Sequence, residues 1–193
     1  MYDRRTDKWD TTNAHIFNSF FGNETQKVVE VRVNSSDFKN KIQAESEVNK
    51  YCILIGRLPG FLVSGLEFIE MHGGDALWGG SSDDNSMLIH TIQGEKYIKD
   101  NVVYNIIAHE LTPTVMDNKD STGWKDARLK DDGIAISEYA KDYPEREDLA
   151  ETISLYILYS RNKLPYELSK ELKYIQNRIN YLDKLNLKME ILP

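Results

Sequence analysis

Residues 106–113 read Ile106-Ile107-Ala108-His109-Glu110-Leu111-Thr112-Pro113, and residues 147–151 read Glu147-Asp148-Leu149-Ala150-Glu151. Around the first stretch, Ile98, Val102, Val103, Ile106, Ile107 and Leu111 recur at helical spacing, which predicts an apolar helix face running through His109 and Glu110. In the second, Leu149, Ile153, Tyr156 and Ile157 stand at i, i+4, i+7 and i+8, which predicts a helix starting at Glu145 or Arg146. Four residues advance a helix by about 400°, so Glu147 and Glu151 share one face of it.

A histidine followed at once by glutamate, late in an apolar helix, is half of the His-Glu-x-x-His pattern. In that pattern the two histidines hold zinc and the glutamate activates the zinc-bound water as general base. A third ligand, often a carboxylate from a second helix, leaves the fourth position open. His109 and Glu147 are therefore candidate metal ligands, Glu110 a candidate base, and Glu151 a candidate acceptor for the ring N–H of His109. Tyr139 and Tyr143, just ahead of the second helix, could hydrogen-bond a developing oxyanion. Taken singly, each segment also reads as surface chemistry, since acids are favoured in the first turn of a helix. Taken together, in this order and at this separation, they point to one site.

Ile107-Ala108-His109-Glu110-Leu111-Thr112, followed by Tyr139, Tyr143-Pro144-Glu145 and Glu147-Asp148-Leu149-Ala150-Glu151-Thr152, resembles the catalytic domain of the anthrax lethal factor family. It is also similar to the clostridial Pro-Pro endopeptidases. The resemblance covers about residues 106–157 and implies a zincin-like metalloprotease, a zinc-dependent endopeptidase acting on a peptide or protein substrate. It implies zinc at His109 and Glu147, Glu110 as base, Tyr139 as the assisting tyrosine and Glu151 as the acid behind the ligand histidine. Pro113 departs from the family: it stands where the second ligand histidine belongs. Zinc binding is expected to be weakened and hydrolysis impaired. Three readings follow: a damaged protease, an inactive pseudoprotease that uses its cleft for binding, or a rearranged site with a remote ligand such as His90. Pro113 also lacks the N–H that would bond the His109 carbonyl, and a mid-helix proline costs ~3 kcal/mol or more.

The 193 residues suffice for one domain with a sizeable core. A net charge of −7 gives no electrostatic footprint for nucleic acid. No apolar run approaches the ~18 residues of a membrane span. Cys52, the single cysteine, lies in the apolar run Tyr51-Cys52-Ile53-Leu54-Ile55 and reads as a core residue. The start, Met1-Tyr2-Asp3-Arg4-Arg5, has no signal-peptide apolar region. The expected protein is a monomer, secreted rather than cytoplasmic, without membrane insertion.

Residues 1–26 read as an extended or short helical lead-in docked by Phe17, Phe20 and Phe21, ahead of a zincin-like domain over 27–193. Val29, Val31 and Val33 alternate with charged neighbours and predict a half-buried strand. Ser35-Ser36-Asp37 offers an N-cap for a helix carrying Phe38, Ile42, Val48, Cys52, Ile55 and Leu58. Phe61-Leu62-Val63, Leu66 to Ile69, and Met87 to Ile92 read as strands; the family resemblance implies that the last is the substrate-holding edge and that the Trp78-Gly79-Gly80 loop flanks the cleft. Residues 118–136 read as irregular, Pro165 as a helix start, and Leu168, Leu172, Ile175, Ile179 and Leu182 as the stripe of a final helix. Strands and a helix first, helices after, predict an α+β domain: a small mixed sheet on helices, with an active-site helix and a C-terminal helical part.

Overall fold

The valine alternation does form a strand. In β4 (Lys27–Asn34), Val29, Val31 and Val33 are fully buried. This computed structural model describes residues 1–22, 27–116, 121–161, 163 and 169–190. Pro165 and Leu168, read as the start and stripe of the last helix, lie outside the described residues. Ahead of β4 come the two-residue strands β1 (Tyr2–Asp3) and β2 (Lys8–Trp9), paired antiparallel, and β3 (Ala14–Phe21). Residues 14–21, expected in a lead-in, are thus a full strand paired antiparallel along β4. Phe21 is buried and Phe17 packs on the core, but Phe20 is exposed, because period-two alternation turns it to the other face.

The sheet is completed by β5 (Phe68–His72), β6 (Gly79–Ser81) and β7 (Ser86–His90), in the order β3-β4-β5-β7-β6. The β4–β5 and β5–β7 pairs are parallel, and β6 runs antiparallel to β7. The strand read over Met87 to Ile92 is therefore not an edge. It ends at His90 and is flanked on both sides, and the edge is the three-residue β6. Helices pack on this mixed sheet, so the α+β expectation holds at the level of one mixed sheet on helices.

Helix α1 (Lys41–Ile55) is capped by Asn40, whose side chain accepts from the Gln43 N–H at 3.0 Å, and not by the Ser35-Ser36-Asp37 cluster. Gln43 answers by accepting from the Lys39 N–H at 2.8 Å, a reciprocal cap. Phe61-Leu62-Val63, read as strand, instead belongs to the short helix α2 (Gly60–Ser64). Pro59 presets the entry to that turn, and full burial of Leu62 and Val63 overrides their strand propensity. The long helical face upstream of His109 is split into α3 (Thr91–Lys99) and α4 (Val103–Met116). Asn101 sits between them at φ 58°, in the left-handed region that asparagine tolerates and a continuing helix does not.

Of the stretch read as irregular, residues 121–130 form α5 (Ser121–Lys130), with Trp124 and Ala127 buried in a mostly polar helix. Then come α6 (Glu138–Asp142), capped by Ser137, and α7 (Glu147–Ser160). The last apolar stripe folds as a 3-10 turn over Glu171–Ile175 leading into α8 (Gln176–Lys184), which buries Ile179 and Leu182.

Asn34, His72 and His90 are the last residues of three adjacent strands, β4, β5 and β7, and all are buried. The Asn34 amide donates to His72 Nδ1 at 3.3 Å, while His90 Nδ1 donates to the Gly73 carbonyl at 3.0 Å. Burial lowers the pKa of both imidazoles, against the nearby Asp3 carboxylate for His72 and the Gly73 carbonyl for His90. Below the ordinary histidine value of about 6.5, the unfolded chain therefore takes up protons that the folded chain refuses. The pair's contribution is full above that pH and declines as the medium acidifies. Urea midpoints are expected to fall less steeply between about pH 7 and pH 5 in His90→Gln than in the unaltered chain. Parallel profiles would show that His90 is not a source of the slope.

Candidate active site

Helix α4 buries Ile107, Ala108, Leu111 and Val115 against the core, and this orientation turns Ile106, His109, Glu110 and Pro113 toward one cleft. The cleft has a volume of about 820 Å³ and lies among β6, α4, α6 and α7. Tyr139 of α6 and Glu147 and Glu151 of α7 line the same space. The four side chains predicted as catalytic or metal-binding, His109, Glu110, Tyr139 and Glu147, are thus brought together from three helices.

His109 is held at both ring nitrogens. Nε2 lies 3.2 Å from Glu147 Oε2 and Nδ1 lies 3.2 Å from Glu151 Oε1. The Tyr139 hydroxyl donates to Glu147 Oε1 at 3.1 Å, and its ring stacks beside the imidazole with centroids 6.3 Å apart. Burial opposes charge on His109, but the hydrogen bond to Glu151 and the charges of Glu110, Glu151 and Glu147 outweigh it and raise its pKa. Glu151 shifts the other way, lowered chiefly by its hydrogen bond to His109. Burial raises the Glu110 carboxyl, against the pull of His109 and Arg4. The Tyr139 phenol is raised by burial and by the Glu147 carboxylate.

The donor set can be tested for zinc. Two ligand atoms at ~2.0–2.1 Å on a tetrahedral ion are about 3.3 Å apart. The 3.2 Å between His109 Nε2 and Glu147 Oε2 matches that spacing, and Glu151 already occupies the outer ring nitrogen, as it would behind a ligand histidine. Yet two donors are one short. Pro113, four residues past His109 and facing the same cleft, offers no ligand atom. Among the described residues no cluster of three or more histidine, cysteine or acidic side chains is arranged to hold a metal. The described residues therefore do not complete a site for a resident zinc. His90 does not supply the missing donor: it is buried at the end of β7, stacked on His72 with centroids 5.4 Å apart, and does not line the cleft.

Helix α4 continues through Pro113 to Met116 despite the lost N–H. The hydroxyls of Thr112 and Thr114 donate to the carbonyls of Ala108 and Leu111, at 2.7 and 2.8 Å, on either side of the interruption. Such back-bonding accommodates local bending of a helix.

The opposite wall includes Trp78, Gly79 and Gly80, the loop expected to flank the cleft. Trp78 itself is buried. Its indole N–H donates to the His90 carbonyl at 2.9 Å, and its ring meets Tyr51 and Tyr97 edge-on. This anchors the start of the edge strand β6. Arg4 reaches over the strand, donates to the Trp78 carbonyl and lines the cleft. Nothing in the sequence marks Arg4, because its partner lies 74 residues away. Gly80 of β6 packs so closely on α4 that an added Cβ would stand 1.8 Å from the Glu110 carbonyl oxygen. Backbone on backbone leaves nothing flexible to give way. Gly80→Ala is expected to cost about 3 kcal/mol or more, the upper end for overpacking, read as a lowered urea midpoint. A midpoint unchanged from that of the parent would contradict this packing.

Comparison with family models, with curated proteins and with solved structures finds no match to this chain.

Proposed function

We propose that this chain is a zincin-type endopeptidase domain whose cleft receives an extended peptide or protein segment and whose hydrolytic power is impaired by Pro113. The observation that carries this reading is the clasp on His109. One ring nitrogen points at a carboxylate across the cleft and the other is fixed by a carboxylate behind it. A phenol steadies the first carboxylate, and a third acid, Glu110, stands beside the histidine with a raised pKa. A zinc peptidase needs this set apart from one ligand, and the position of that ligand faces the same cleft.

The substrate side of the reading rests on β6. It pairs with β7 along one edge, and its glycines line the cleft. An extended peptide could add along the other edge, using main-chain hydrogen bonds that ask little of its sequence. The departure at Pro113 favours a second reading, an inactive binding module on the same scaffold. The deciding experiment is zinc content and peptide cleavage for the unaltered chain and for Pro113→His, with Glu110→Gln added to the latter. The endopeptidase reading expects zinc and cleavage to appear with the histidine, and cleavage alone to vanish with the glutamine. Zinc-bound Pro113→His that cleaves no peptide of a random library would leave the binding module standing.

A further inference from the structure

A second pocket, of about 240 Å³, lies on the other side of the α4–α7 contact from the clasped histidine. Asn105 and Ser154 belong to both pockets, and the Ser154 hydroxyl donates to the Asn105 carbonyl at 3.2 Å, so the two spaces share one wall. The floor of the second pocket is apolar: Leu58, Ala108 and Ile157 are buried there. Its rim is cationic, formed by Arg57, Arg161 and Lys163, with no acidic side chain among the described residues of the lining.

Three cations at the mouth of one apolar pocket are unexpected on a chain of net charge −7. Among the described residues none of the three is paired with a carboxylate. Arg57 donates to the Tyr104 hydroxyl at 3.1 Å and Arg161 to the Met189 carbonyl at 3.4 Å. The usual task for cations past a helix end is to satisfy its last carbonyls. Here backbone N–H groups already bond the Ile157 carbonyl, from Arg161 at 3.3 Å, and the Leu158 carbonyl, from Lys163 at 2.9 Å. Among the described residues, no carboxylate takes up this positive charge.

We propose that this pocket binds an acidic peptide segment, taking one apolar side chain into the floor and pairing the flanking carboxylates with Arg57 and Lys163. Shape and charge specify the ligand: the volume admits one large apolar side chain, and the rim selects anions over cations. The wall shared with the larger cleft argues for a peptide, because a chain leaving that cleft past Asn105 and Ser154 reaches the pocket directly. The inference deepens the reading of the cleft as a peptide site but does not depend on metal or on hydrolysis.

The test uses the full unaltered chain in the presence of a chelator. The probe is a fluorescent, end-blocked Ala-Glu-Leu-Glu-Ala peptide, followed by anisotropy at low and at raised salt. Binding that weakens with salt is expected, together with loss of affinity for the Gln-for-Glu and Gly-for-Leu analogues. Arg57→Ala/Lys163→Ala should weaken the probe by about five- to tenfold, the scale of two rim charges, and flatten the salt dependence. Both side chains are exposed, so the fold should survive, and circular dichroism checks it. Equal binding of the Gln analogue, or an unchanged double variant, overturns the proposal. So does displacement by decanoate of comparable strength, which would make the site one for acyl carboxylates. Neither Arg57 nor Lys163 lines the cleft of His109, so failure here leaves the Pro113→His experiment to stand or fall alone.

Discussion

Replacing Pro113 with histidine is expected to raise zinc affinity by about a hundredfold or more. Four-ligand protein sites bind zinc with roughly 10–16 kcal/mol, so each ligand is responsible for about 3 kcal/mol, and that is about two orders of magnitude in the dissociation constant. The new imidazole would stand four residues past His109 on the face of α4 that already looks into the cleft. It would complete a triad with His109 Nε2 and Glu147, whose donor atoms are 3.2 Å apart. The substitution also restores a backbone N–H for the His109 carbonyl, which alone is expected to stabilise the helix by up to ~3 kcal/mol. Pro113→Ala carries the backbone gain without the ligand, so the two effects separate. Competition against a chromophoric chelator should show tight zinc binding for Pro113→His only. If Pro113→Ala binds zinc as well as Pro113→His, position 113 is not a ligand position. The affinity should also climb with pH above the ordinary histidine range, because the raised pKa of His109 makes the proton a stronger competitor for Nε2.

The second large effect concerns Arg178, which is fully buried in α8. Its Nε meets Asp131 Oδ2 at 3.2 Å, its Nη1 meets Asp148 Oδ1 at 2.5 Å, and its Nη2 donates to the Ile134 carbonyl. Asp148 is itself buried, and burial raises its carboxyl pKa against the pull of Arg178 and Arg128. Arg178→Met keeps much of the aliphatic volume but takes the ion-pair partner from buried Asp148 and leaves Asp131, among the described residues, only its bonds from Asn177 and the Arg178 backbone N–H. Removing one partner of such a group costs about 3–5 kcal/mol, a large part of the 5–15 kcal/mol typical of a domain. Urea unfolding of Arg178→Met should show that loss. It should be partly relieved as the pH is lowered, because burial already raises the Asp148 carboxyl and a stranded carboxylate protonates more readily still. Because Asp148 adjoins Glu147, the variant is also expected to loosen the His109 clasp, seen as weaker zinc binding when combined with Pro113→His. Stability within about 0.5 kcal/mol of the parent would show the network to be dispensable.

Arg178 was invisible in the sequence for a physical reason. It lies in a polar-looking helix whose apolar positions are few, and an arginine there reads as solvated surface. Its burial depends on Asp131 and Asp148, 47 and 30 residues away. The same holds for Arg4 on the cleft wall and for Gly80 against α4. Trp124 and Ala127 bury one side of α5, whose composition alone suggested no regular structure. Misplaced edges have a similar origin. The run Met87 to His90 is strongly apolar because it is covered on both sides, and which strand closes the sheet depends on where β6 returns.

Periodicity made the central elements legible: the alternating valines of β4, the face of α4 through His109 and Glu110, and the i, i+4 carboxylates of α7. Local chemistry repeats every 2 or 3.6 residues, so those patterns, and the candidacy of His109, Glu110, Glu147 and Glu151, needed no neighbours, whereas Tyr139 was singled out from Tyr143 only by the family resemblance. Distances did need neighbours. That His109 lies between Glu147 and Glu151, that Tyr139 reaches Glu147, and that Pro113 faces their cleft result from packing α4 and α6 against α7, with His109 and Glu147 38 residues apart along the chain. Residue type announces what a side chain can do, and only the packed core sets which side chains meet.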